Sequence, residues 1–287
     1  MVNLVPLLQG IIERGLIYSL VVIAVYLTSR IIKFDDLTVE GSFGIGGALA
    51  AFCLLFHLHP MVALPIIMGA GALSGFATGM LHAKLNINNL ISGIVVTTGL
   101  FSITLAIAGS NASIIGMATL FDLLPLPASL VTYKFLVVLI ALNIIAVSSM
   151  RWLLNTEAGF LIQAVGDNPQ MLTNLGKNIK AYKVTALVLA NTLTALAGGL
   201  FVQYVGYFSI WGNVGILVSA LAGLILAEIL STALDSSLII GSIMYQAIIA
   251  MTFELQVPQE WNKLITAGLI VALLIIKSPK FLTFGRK

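Results

Sequence analysis

Long uninterrupted apolar runs constrain this chain more than any other feature. About 20 apolar residues cross the roughly 30 Å hydrocarbon core of a bilayer as a helix. Nine such runs are predicted, near 9–29, 37–56, 61–81, 89–109, 132–151, 183–204, 213–230, 234–253 and 262–277. Several are short or interrupted by glycine, so a count of eight or ten also fits. The runs are continuous and do not alternate polar with apolar. They therefore read as helices, which satisfy every backbone group internally, and not as barrel strands. Only 9% of residues are charged, against roughly 25% in soluble domains. The expectation is an all-α, polytopic integral membrane protein, with residues 1–287 forming one transmembrane domain in contact with lipid.

Lys and Arg fix an expected orientation. Eleven of them (Arg30, Lys33, Lys84, Arg151, Lys177, Lys180, Lys183, Lys277, Lys280, Arg286 and Lys287) fall on one side of a nine-span arrangement. Arg14, Lys134 and Lys263 fall on the other. The positive-inside bias places the first side in the cytoplasm, with the N-terminus outside and the C-terminus inside. It also puts 110–131, with its Pro125–Leu126–Pro127 turn, outside. The first run lacks a basic leader and a small-residue cleavage site, so it is expected to remain as a span. The +3 net charge follows membrane topology and gives no reason to expect nucleic acid.

The longest cytoplasmic loop, 157–183, carries a short helix with its own punctuation. Asp167 and Asn168 suit an N-cap, and Pro169 suits the first helical position. Gly176 offers a left-handed stop, with Lys177 at the negative helix end. The predicted helix, about Asn168 to Leu175, is too short to be stable alone. Met171, Leu172 and Leu175 give it an apolar side. That side lies either on the protein's own membrane domain or in a groove of a partner, and the residues alone leave both open.

Other features carry less chemistry. Asp36 and Glu40 lie four apart on one helix face. With Ser42, they are either contacts on a substrate path or structural anchors, with Arg30 or Lys33 within reach of Glu40. No charge is expected deep in a span. Gly71, Gly75 and Gly79 at four-residue spacing suit close helix packing, more simply within one chain than between two. Tyr204, Tyr207, Phe208 and Trp211 suit an interfacial aromatic belt. His57 and His59 lack further ligands for a metal site. Glu228 and Asp235 bracket an inner turn. No phosphate-binding G-x-x-x-x-G-K-[ST], no H-E-x-x-H and no activated serine is present, so the chain is expected not to be an enzyme and to need no cofactor.

Three stretches resemble one family. Asp36-Leu37-Thr38-Val39-Glu40-Gly41-Ser42-Phe43, followed by GIGGALAA, is similar to the second-span signature of ATP-binding cassette importer permeases of the branched-chain amino acid and ribose type. The form DLTVEGSF is most similar to tryptophan/tyrosine transport permeases. AVGDNPQMLTNLGKN resembles the family's cytoplasmic loop. GNVGILVSALAGLILAEIL resembles its late span, with Ala227 where the family more often has Gly. The resemblance implies that the short helix couples the permease to a cytoplasmic ATP-binding subunit through Asp167, Asn168, Pro169, Gln170, Met171, Leu172, Asn174 and Gly176. It further implies a solute-binding protein outside, the bacterial inner membrane, and an amino acid substrate, aromatic by the DLTVEGSF match. One coupling loop per chain makes a homodimer the simplest assembly. The rival is a secondary transporter, which needs a complete site and paired charges within one chain.

Overall fold

The structure is a computed structural model, and it describes residues 4–123, 133–230, 236–254 and 261–277. Eleven α-helices dominate: α1 (Leu4–Tyr26), α2 (Thr38–Leu55), α3 (Pro60–Leu85), α4 (Asn89–Ala108), α5 (Lys134–Leu154), α6 (Glu157–Asp167), α7 (Pro169–Asn174), α8 (Ile179–Val205), α9 (Ile216–Leu230), α10 (Ser236–Glu254) and α11 (Asn262–Lys277). Among the described residues seven helical stretches are long and apolar enough to cross a membrane, and two shorter apolar helices lie in α10 and α11. Together they match the nine predicted runs. The Pro125–Leu126–Pro127 turn and Asp235 lie outside the described residues.

α2 is the hub. It packs on α3, α4 and α8 and is the most enclosed span. Its sequence explains why. A side chain on Gly46 would run into the Ala195 carbonyl of α8, and one on Gly198 into the Phe43 carbonyl of α2. Small residues at these positions bring the two backbones together. α3 lies antiparallel on α8 through the expected glycine stripe. Gly71 faces Asn191, Gly75 faces Leu187 and Gly79 faces Val184, so the stripe is an intrachain seam. The Ala227 site is tightly packed too, because Gly241 of α10 supplies the missing space against it.

α1 runs on past Tyr26 as a π-turn over Leu27–Ile31. The chain then turns inward through buried Ile32, Phe34 and Asp36. Consequently α2 does not begin at the bundle end. Asp36 and Ser42 both contact Asn191, which lies about midway along α8. The intervening Glu40 therefore sits at mid-height, about 18 Å above the start of α8 by the helix rise. Of the alternatives the sequence leaves open for Glu40, pairing with Arg30 or Lys33 does not occur. Arg30 instead clasps Glu228 with both guanidinium branches, and Lys33 pairs with Asp167 at 3.2 Å.

The chain after α8 also departs from expectation. A two-stranded ribbon pairs β1 (Asn111–Ser113) with β2 (Tyr207–Ser209), antiparallel, with Ala112 opposite Phe208. Beyond it a 3-10 turn over Ile210–Asn213 leads to Gly215, whose N–H donates to Glu40 Oε1 at 3.0 Å. Residues 206–215 thus return from the α8 end to mid-height before α9 starts. Phe208 is 1% exposed, packed in a cluster with Ala48, Ala51 and Leu54 of α2, so it is no part of an aromatic belt. Tyr207 and Trp211 remain exposed.

Candidate functional site

The polar segment between α5 and α8 holds two helices, not one. Thr156 caps α6, its hydroxyl accepting from the Gly159 N–H at 3.2 Å. Gly159, Ile162 and Val165 form its buried stripe, at the three-residue spacing of an amphipathic helix. Gly159 lies on the last turn of α5 and Gly166 on the Ile31 carbonyl of the π-turn, each where a side chain would collide with backbone. The segment is therefore seated on the C-terminal end of α5 and on the π-turn that follows α1.

α7 follows at once. Asn168 caps it, its side-chain oxygen accepting from the Met171 N–H at 3.1 Å, and Pro169 takes the first helical position. The helix stops where expected. Gly176 has φ +68, its N–H donates to the Thr173 carbonyl (3.0 Å), and the Lys177 N–H donates to the Leu172 carbonyl (2.9 Å). This pair of bonds is a Schellman closure, which favours glycine at the left-handed residue. The expected apolar side divides. Leu172 is fully buried against the bundle, whereas Met171 and Leu175 are 53% and 57% exposed. Asp167, Asn168, Pro169, Gln170, Asn174 and Gly176 are exposed as well. All eight residues singled out by the loop motif thus lie on one short projection, which keeps one apolar anchor inside and turns two apolar side chains outward.

Deeper in the bundle, Asp36 and Ser42 belong to a buried polar knot. Asp36 Oδ1 accepts from the Thr38 N–H (2.9 Å) and its Oδ2 accepts from Asn191 Nδ2 (2.7 Å). Ser42 donates to Asn191 Oδ1 (2.6 Å) and meets the Ser74 hydroxyl at 2.5 Å, while Thr38 meets Thr78 at 2.6 Å. The knot ties α2, α3 and α8 at one level. Asn191 was not singled out in the sequence, because a lone Asn in a long apolar helix carries no motif.

Glu40 stands apart from the knot. It faces a cleft of about 80 Å³ bounded by Thr97 and Phe101 of α4, Thr104, and Asn213. Asn213 fits against α2 only because Gly44 has no side chain. Phe101 stacks edge-on with Trp211, ring centroids 6.3 Å apart. The expectation of no deep charge is therefore corrected by Asp36 and Glu40, and also by Glu13, which is 4% exposed well inside α1 and accepts from Gln9 at 2.8 Å. Asp36 and Glu40 were not legible as deep, because α2 begins inside the bundle.

Comparison with known proteins agrees with the three sequence stretches. Residues 7–274 match the family described as the permease component of the branched-chain amino acid transport system. A tyrosine transport system permease protein of Clostridioides difficile (strain R20291) is 33% identical over 271 residues, covering 92% of this chain and 89% of that protein. An uncharacterized protein, RP368, of Rickettsia prowazekii (strain Madrid E) is 32% identical over 218 residues, 76% of this chain and 75% of its own length. The autoinducer 2 import system permease protein LsrC of Escherichia coli O9:H4 (strain HS) is 29% identical over 246 residues, 84% of this chain and 70% of its own. No solved structure matches. With nine apolar helices and a family match across nearly its whole length, the chain is a multi-pass membrane protein that belongs to the permease-component family of branched-chain amino acid, ATP-binding cassette transport systems.

Proposed function

We propose that this permease imports an aromatic amino acid across the bacterial inner membrane as a homodimer, with α7 as its contact to the ATP-binding subunit. The N-terminus lies outside and the C-terminus inside, so α6 and α7 face the cytoplasm. A solute-binding protein docks on the opposite face. The observation that carries this reading is the build of α7: capped at both ends, anchored by Leu172, and offering Met171 and Leu175 outward. An isolated six-residue helix gains nothing from exposing two large apolar side chains unless a partner covers them.

The seat of α6 supplies a mechanical link. Movement of α7 is passed through Gly166 to the π-turn of α1 and through Gly159 to the end of α5. Close backbone contact transmits displacement, because packed interiors do not compress. Closure of two ATP-binding subunits would then shift the inner ends of these spans and alternate access to the path. The aromatic amino acid is supported by the tyrosine permease relative and by the DLTVEGSF stretch.

The test is copurification with the natural neighbouring subunits, for the wild type and for Met171→Glu with Leu175→Glu. The wild type is expected to retain an ATPase, and the double variant to insert normally but lose it. Retention of the ATPase by the double variant would overturn the coupling role.

A further inference from the structure

We propose that Glu40 is the ammonium-binding residue of the transport path, and that Phe101 and Trp211 receive the aromatic ring of the same substrate. This rests on the amino acid importer reading above.

The first observation is an unbalanced charge. Glu40 is half-buried at mid-height of the bundle. An ionised carboxylate at such depth is costly unless paired, and an intramembrane acid marks a functional path by default. Among the described residues no basic side chain pairs with Glu40. Arg30 and Lys33, the basic residues nearest to it in sequence, pair with Glu228 and Asp167 instead. Among the described residues the one hydrogen bond to its carboxylate is the Gly215 N–H on Oε1, and the Glu40 side chain lines the cleft.

The second observation is the backbone. Residues 207–209 pair with β1 at the end of α8, and 210–215 then run as a 3-10 turn and non-helical chain to Glu40, beside helical α2 and α4. Irregular backbone at membrane depth is tolerated where it is packed in protein or lines a water-filled cavity. Broken helices that meet at mid-height are the construction used for substrate sites in transporters. Here the break brings Asn213 and the N-terminal end of α9 to Glu40.

The third observation is size and surroundings. A cleft of about 80 Å³ holds several waters, each needing at least about 10–15 Å³. It has room for an ammonium group and its carbon. Thr97, Thr104 and Asn213 add hydroxyl and amide groups around that head. The remainder of the ligand must lie outside the cleft mouth, where Phe101 and Trp211 are 41% and 68% exposed and stack with each other. Aromatic faces there suit an aromatic side chain and add to its burial. Little of α4 is covered within one chain, so the mouth of the cleft is left open on this side.

The test measures ring-proton saturation transfer from the detergent-solubilised full-length chain to three probes. L-tyrosine and tyramine keep the ammonium; 3-(4-hydroxyphenyl)propanoate lacks it. Tyrosine and tyramine are expected to bind, and the propanoate at least about tenfold more weakly. Glu40→Gln keeps an oxygen for the Gly215 N–H, and is expected to weaken tyrosine and tyramine about tenfold or more. Phe101→Leu is expected to weaken tyrosine more than leucine. Equal binding of tyramine and the propanoate, or wild-type binding by Glu40→Gln, would overturn the site. ATP-driven uptake by the complete transporter separates the two readings. Tyrosine uptake by the wild type at a rate matched by Glu40→Gln rejects Glu40 and leaves the importer standing. Absence of any amino acid uptake by the wild type rejects both.

Discussion

Removing the Asn191 side chain should destabilise the bundle more than any single surface change. Asn191 is fully buried and makes three hydrogen bonds: to Asp36 (2.7 Å), to the Leu187 carbonyl (2.9 Å) and from Ser42 (2.6 Å). Asn191→Ala leaves one Asp36 oxygen without its side-chain donor and takes an acceptor from Ser42. Each orphaned buried group costs about 1–3 kcal/mol, and a charged one more. The small cavity adds to this, giving about 3–5 kcal/mol in all. At about 2–4 °C per kcal/mol for a chain of this size, the midpoint of thermal unfolding in detergent should fall by roughly 6–20 °C. Asn191→Asp should be worse at neutral pH, since it sets a second carboxylate against Asp36. The exchanged pair, Asp36→Asn with Asn191→Asp, restores one acid facing one amide and should recover at least half of that loss. Additive losses in the exchanged pair, or an Asn191→Ala midpoint within 2 °C of wild type, would refute the claim that this knot ties α2 to α8.

Three further outcomes are expected. Gly166→Val drives a branched side chain into the Ile31 carbonyl, so it should cost about 1–3 kcal/mol and leave ATP hydrolysis by the assembled transporter uncoupled from uptake; tightly coupled uptake would contradict the link through the π-turn. Gly46→Leu should pry α2 from α8 and abolish accumulation of folded protein, read as loss of the monodisperse peak in size-exclusion chromatography. Burial alone would raise the Asp122 carboxyl, but the Lys134 ammonium at 2.5 Å and the Thr119 hydroxyl and N–H outweigh it and hold it below the usual range. A depressed folded value means this contribution is present above the unfolded carboxylate range and is lost as pH falls through the folded value. Protection against hydrogen exchange at 119–123, taken relative to the intrinsic rate at each pH, should therefore fall on acidification below about pH 4, and Asp122→Asn should remove that pH dependence.

Much of this architecture is legible because the bilayer imposes a length on each apolar run. Each of the nine runs is helical over most of its described residues, and the caps of α7 stand at the residues whose chemistry marked them: Asn168, Pro169 and Gly176. Capping is local, so a local pattern suffices to find it. α6 was missed although Thr156 and the stripe at Gly159, Ile162 and Val165 announce it. Its charged ends made the whole segment read as loop. Depth was the harder quantity. Asp36 looks like an interfacial residue until the inward turn at 32–36 is known, and that turn depends on tertiary contacts of Phe34 and Asn191. The re-entry of 206–215 likewise depends on pairing with residues 110–114, about 95 positions earlier. The exposure of Met171 and Leu175 beside buried Leu172 follows from how α7 is seated, which the helix period alone does not state.

The most direct measurement is accumulation of radiolabelled tyrosine by proteoliposomes holding the chain with its ATP-binding subunits, supplied with the solute-binding protein outside and ATP inside. Accumulation should require ATP and the binding protein, and should vanish in Met171→Glu with Leu175→Glu. Accumulation driven by a sodium or proton gradient with no ATP present would contradict the importer mechanism and favour a transporter complete in one chain.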